Sequence, residues 1–119
     1  MTFAVVDDDE DVRTALSRLL RVMGHDVRAF ASAEEFEAET VAVDCTIVDV
    51  RLPGLNGIEL RERLRSRNPS AAVVLITGDG DPLARDGTPS VGTPLVTKPF
   101  DADALARAIA QATSTHESA

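Results

Sequence analysis

Three short, almost wholly apolar runs, each stopped by a polar or acidic residue, constrain this chain more than any other feature. Phe3-Ala4-Val5-Val6 ends at Asp7-Asp8, Cys45-Thr46-Ile47-Val48 ends at Asp49, and Ala71 through Ile76 ends at Thr77. Runs of this length without alternation are strands covered on both faces, as in parallel sheets. A weakly alternating stretch, Asp26 to Phe30, and a brief one, Leu95-Val96-Thr97, complete a set of five strands.

Helical patterns lie between them. From Val12 through Leu16, Leu19, Leu20 and Met23 apolar residues recur every three or four positions, with Arg13, Arg18 and Arg21 between them and Gly24 as terminator. Ser32 with Glu35 predicts a capping box for a brief helix containing Phe36. A loop with Pro53, Gly54 and Gly57 leads to a helix carrying Ile58, Leu60 and Leu64, which Pro69 prevents from continuing. Asn56-Gly57 reads simply as a turn. Leu105, Ala108, Ile109 and Ala112 define a closing helix capped by Asp101, and the tail from Thr113 is expected to fray. Residues 78 to 94 hold four Gly and three Pro, so any helix after the fourth strand is expected to be short, displaced or absent. Strands alternating with helices, most strands apolar throughout, predict an α/β domain with a parallel sheet covered on both faces by right-handed crossovers.

Composition narrows the function. With 119 residues, 44% of them hydrophobic, the chain suits one globular domain. A net charge of −8 opposes the phosphate backbone of nucleic acids, so direct DNA or RNA binding is not expected. Trp and Tyr are absent, which removes the stacking platforms of single-strand binders. No apolar run approaches the ~18 residues of a membrane span and no leader pattern opens the chain, so the expected setting is the cytoplasm without a membrane contact. The single Cys45 sits in an apolar run and reads as a small core residue.

In doubly wound sheets ligands sit beyond the carboxyl ends of the strands. The residues there are Asp7 and Asp8, Asp49, Thr77 and Lys98. Three carboxylates converging on one edge repel one another unless a cation joins them, and hard oxygen ligands favour Mg²⁺. Mg²⁺ held by one or two carboxylates takes its remaining ligands from water and phosphate, which leaves Asp49 free to attack phosphorus. Lys98 and Thr77 would then supply a positive charge and a hydroxyl to the phosphoryl oxygens. Asp9 and Asp11 read instead as a solvated turn capping the first helix, and His25 and His116 as exposed loop and tail residues rather than ligands. The spacing Asp7, Asp9, Asp11 imitates an EF-hand loop, but Val12 replaces its glycine and Arg18 its bidentate glutamate. Gly78-Asp79-Gly80 lacks the remainder of a phosphate loop.

The segments VVDDDEDV, IVDVRLPGLNG, VLITGDGD and VTKPF resemble, in order and separation, the motifs of the response-regulator receiver family over nearly the whole chain. The resemblance implies a three-layer (βα)₅ flavodoxin-like sandwich with sheet order 2-1-3-4-5, a receiver domain over residues 1–112 and a frayed tail over 113–119. It also implies that Asp7 and Asp8 help hold Mg²⁺, that Asp49 both ligates it and is phosphorylated, and that the backbone carbonyl of Arg51 completes coordination. Thr77 and Lys98 would bind the phosphoryl group, with a cis peptide between Lys98 and Pro99 aiming the lysine inward. The implied partners are a sensor histidine kinase or phosphotransfer protein and an output domain or downstream protein, with the domain itself a monomer or weak homodimer. It would act as a phosphoacceptor that assists its own phosphorylation and dephosphorylation rather than as an enzyme. The phosphoacceptor loop looks closest to regulators that carry a helix-turn-helix output.

Two positions depart from the family pattern. Leu95 stands where an aromatic usually turns inward on activation, and residues 81 to 93 are slightly short and rich in helix breakers. Transmission by ordering of that loop is therefore the expected variant of the switch. Two other functions fit the sequence less well. A phosphatase of the haloacid dehalogenase type needs a Thr where Asp11 stands, and a degenerate receiver serving only as a binding module has no need of the intact acids.

Overall fold

A computed structural model describes residues 1–39, 42–78, 93–98 and 100–117, with side chains as far as Thr113. Its elements in chain order are β1 (Thr2–Val6), α1 (Glu10–Val22), β2 (Asp26–Phe30), α2 (Ala33–Ala38), β3 (Cys45–Asp49), α3 (Gly57–Arg67), β4 (Val73–Thr77), β5 (Leu95–Thr97) and α4 (Ala102–Glu117). The strands form one parallel sheet in the order β2-β1-β3-β4-β5, the order expected. β1, β3 and β4 lie in the middle, which is why their side chains are apolar on both faces; all five residues of β3 and of β4 are buried.

Alternate residues of these strands feed two cores. Phe3, Val5, Cys45, Ile47, Val74 and Ile76 pack with Leu16 and Leu20 of α1 and Leu105 and Ile109 of α4. Ala4, Val6, Val48, Val73 and Leu75 pack with Phe36 of α2 and Leu60 of α3. The period of two along each strand thus assigns α1 and α4 to one face and α2 and α3 to the other, giving the three-layer sandwich.

Local chemistry sets the ends of the helices. Asp9 caps α1, accepting from the N–H groups of Asp11 and Val12, while Asp101 accepts from Ala104 at the start of α4. Ser32 accepts from the Glu35 N–H, as its spacing predicted. Two expectations are corrected. Asn56 is more than a turn residue: with Glu59 it forms a complete capping box at the start of α3. His25 is half-buried rather than exposed, its ring 4.7 Å from that of Phe3. α4 extends to Glu117, with Ala112 buried against the sheet. The segment after β4, residues 79–92, and Pro99 lie outside the described residues, and with them the short or irregular helix, the loop-ordering switch and the cis peptide expected there.

Candidate functional site

Parallel register brings the strand-end residues to one edge. β1 is paired with β3 through Val6 and Val48, and β3 with β4 through Asp49 and Ile76, so Asp7, Asp49 and Thr77 emerge side by side. β5 joins through Thr77 and Thr97, and the Lys98 N–H donates to the Thr77 carbonyl at 2.8 Å, which anchors the lysine at the same edge.

Carboxylate oxygens of Asp7, Asp8 and Asp49 lie within 4.8 Å of one another. Asp7 and Asp49 are buried and Asp8 is exposed, so the cluster reaches solvent at Asp8. Lys98 bridges the two buried acids, its Nζ 2.5 Å from Asp49 Oδ2 and 3.4 Å from Asp7 Oδ2. Asp7 Oδ1 accepts the Asp9 N–H at 2.9 Å, yet its fully buried Oδ2 has no hydrogen-bond partner among the described residues. Thr77 Oγ1 is likewise buried and unpartnered. Orphaned oxygens of this kind cost stability and mark places where a ligand completes the structure.

Electrostatics follow from this crowding. Burial pushes the Asp7 carboxyl from its ordinary 3.8 up to about 6; the Asp9 N–H opposes that rise, the Asp49 carboxylate adds to it, and Lys98 opposes it. Burial alone would lower Lys98, but the hydrogen bond and charge of Asp49, followed by those of Asp7, leave its ammonium above 10.5.

Asp49 is held by its own loop: its Oδ1 accepts the Arg51 N–H at 2.7 Å, so Arg51 sits at the site through its backbone. Gly57, the first residue of α3, must be glycine for packing reasons, since a Cβ there would overlap the Asp49 carbonyl oxygen. Arg13 Nη1 donates to the Asp7 carbonyl at 2.8 Å, tying α1 to the end of β1. Arg61 of α3 is buried and its Nε donates to Thr93 Oγ1 at 2.5 Å, fixing the approach to β5. Asn56 had a readable signal in its spacing to Glu59; Arg13 and Arg61 had none, because their partners are fixed only by tertiary contact.

Hard oxygen donors around a buried orphan, beside a lysine and a hydroxyl, at the carboxyl edge of a doubly wound sheet, define a small α/β domain whose acidic cluster could hold a metal ion. The chain belongs to the response regulator receiver domain family, which it matches over residues 3–110. It is 39% identical over 108 residues to the transcriptional regulatory protein FixJ of Azorhizobium caulinodans, covering 88% of this chain and 51% of that protein. With the C4-dicarboxylate transport transcriptional regulatory protein DctD of Rhizobium meliloti it shares 35% identity over 111 residues, 91% of this chain and 24% of that one. The crystal structure of full-length FixJ from B. japonicum superposes with a TM-score of 0.83 at 34% identity, over 98% of this chain and 59% of that one. The signal receiver domain of an HD domain-containing protein from Pseudomonas fluorescens Pf-5 gives 0.83 at 25% identity, over 99% and 98%. The chain thus spans about half the length of FixJ from Azorhizobium. It is a receiver domain of two-component signalling. No helix among the described residues is long and apolar enough to cross a membrane.

Proposed function

We propose that Asp49 is the phosphoacceptor, taking a phosphoryl group from the phosphohistidine of a sensor kinase or phosphotransfer protein in the cytoplasm. In that step an Asp49 oxygen attacks phosphorus, the P–N bond to histidine breaks, and the imidazole leaves. The observation that carries the reading is the buried Asp7 Oδ2, without a hydrogen bond among the described residues, clustered with Asp8, Asp49 and Lys98.

Fully oxygen-based donors with one exposed member, Asp8, fit Mg²⁺, which keeps waters and accepts phosphate oxygens. Asp7, Asp8, Asp49 and the carbonyl of Arg51 would hold it, and bound there it would neutralise charge on the phosphoryl oxygens. Lys98 makes the same kind of contribution from the β5 side: freed from its bridge to Asp49 Oδ2, its ammonium pairs with a phosphoryl oxygen. Thr77 Oγ1, without a hydrogen-bond partner among the described residues, donates to another. The Arg51 N–H on Asp49 Oδ1 leaves Oδ2 as the attacking oxygen. Phosphorylation then alters a protein–protein surface or an attached output domain, and the same pocket assists hydrolysis of the acyl phosphate. The domain acts as a monomer or a weak homodimer and makes no direct contact with nucleic acid.

Intact-mass measurement with a small acyl-phosphate donor and Mg²⁺ tests this. The wild-type chain gains roughly 80 Da, the mass of one phosphoryl group, and Asp49→Ala gains nothing. An unchanged wild-type mass overturns the proposal and leaves a binding module; continuing phosphomonoester turnover would indicate a phosphatase instead.

A further inference from the structure

The loop between β3 and α3 bears the phosphoacceptor end of β3 and Arg51, and most of its anchors are local. Arg51 is tied to Asp49, Leu52 is buried, and Asn56 is fixed by its capping box with Glu59. Hydrogen bonds to other elements hold it too: at the start of the loop the Val50 N–H donates to the Ile76 carbonyl of β4 at 2.8 Å, and at its far end the partner is α2. Glu34, in the first turn of α2, reaches the loop, and its Oε2 accepts the Leu55 N–H at 3.1 Å. The same oxygen lies 2.9 Å from the position a Cβ on Gly54 would occupy. Gly54 adopts φ +74°, in the left-handed region that side chains disfavour, so this residue provides both the turn and the space in which the carboxylate rests.

Two further observations agree. The Leu55 N–H is the leading cause holding the Glu34 carboxyl below its ordinary value, as expected when the ionised form is the one that accepts. α2 is also a firm base for the latch. Phe36 and Ala33 are buried in the core, and Glu37 is paired with Arg63 of α3 at 2.7 Å and with Arg67 at 3.4 Å.

We propose that Glu34 is a positioning residue for the site, a latch from α2 that holds the β3–α3 loop in the conformation that binds the divalent cation. This rests on the reading of Asp49 and Arg51 given above. A carbonyl ligand has no side-chain freedom, so the path of the loop sets its place, and every alternative path of an unlatched loop must be given up when the cation binds. Glu34 touches neither cation nor phosphate. Its effect appears as Mg²⁺ affinity rather than as a lost chemical group.

The test compares the wild-type chain with Glu34→Ala and Glu34→Gln by calorimetric titration with Mg²⁺ alone, by amide exchange at Leu55, and by urea unfolding. Glu34→Ala is expected to bind Mg²⁺ about three- to tenfold more weakly, below the roughly 10–100-fold typical of residues that support metal ligands, because the carboxylate is exposed. It is also expected to lose protection at Leu55 and, at saturating Mg²⁺, still to gain the phosphoryl mass. Glu34→Gln keeps an oxygen that can accept the Leu55 N–H and should remain within about twofold of wild type. A merely structural glutamate would lower the urea midpoint and leave the Mg²⁺ affinity unchanged; that result overturns the latch, as does equal weakening in the Gln and Ala variants. If the wild-type chain neither binds Mg²⁺ nor gains phosphoryl mass, the underlying reading of the site falls first and takes the latch with it.

Discussion

Replacing Asp7 with Asn should make the cation-free protein more stable while removing its ability to bind Mg²⁺. The Asp7 carboxyl is fully buried and is raised from 3.8 to about 6, chiefly by burial. Each tenfold step in proton affinity is worth about 1.4 kcal/mol, so near pH 7 the ionised side chain costs the folded state about 3 kcal/mol. A carboxyl raised on folding binds its proton more tightly in the native state. Its destabilising effect is therefore absent below the unfolded value, grows as pH rises from 3.8 to about 6, and is constant above. Asn keeps an oxygen for the Asp9 N–H, which Asp7 Oδ1 now accepts at 2.9 Å, and presents an amide to the Asp49 carboxylate.

Urea unfolding followed by far-ultraviolet circular dichroism suits a chain without Trp. In chelator near pH 7, Asp7→Asn should exceed wild type by about 1–3 kcal/mol, and the two should converge below about pH 4. Adding Mg²⁺ at about a hundred times its dissociation constant should stabilise wild type by about 2.7 kcal/mol and leave the variant unchanged. A variant less stable than wild type in chelator near pH 7 would refute the reasoning, since Asp7 would then be held chiefly by Lys98 rather than strained by burial.

Gly57→Ala sets a Cβ against the Asp49 carbonyl, so the start of α3 must shift; a loss of about 1–3 kcal/mol in unfolding free energy is expected, together with weaker phosphorylation, and unchanged values in both would remove the close approach as a constraint. Asp9→Ala deletes the cap of α1, at a cost of about 1 kcal/mol, while Mg²⁺ affinity measured by titration should stay at the wild-type level, which separates the capping acid from the acids proposed to hold the cation. The Cys45 thiol is buried and pushed up to about 12, first by burial and then by Asp44, so the folded chain should resist a thiol reagent at neutral pH and react once urea unfolds it; rapid labelling of the native chain would show that β3 opens.

The architecture was legible because each central strand is an apolar run with a polar stop, and burial on both faces leaves few other places for such runs. The gathering of Asp7, Asp8 and Asp49 followed from the same reasoning, since a parallel sheet puts all its carboxyl ends at one edge. Asp9 and Asp101 were readable as caps because a cap is a local bond. The Asn56 capping box was equally local, but it was obscured by the reading of Asn-Gly as a turn.

By itself, then, the sequence determined what short range and periodicity can determine: strand positions, helix faces, most caps, and the edge at which the acids meet. Tertiary structure alone decided which oxygen of Asp7 lacks a hydrogen bond among the described residues, that Lys98 spans two buried carboxylates, that Gly57 yields space to the Asp49 backbone, and that Glu34 reaches Leu55 across 21 positions. These contacts join residues distant in the chain, and their geometry depends on how the layers pack against one another, which no local pattern records.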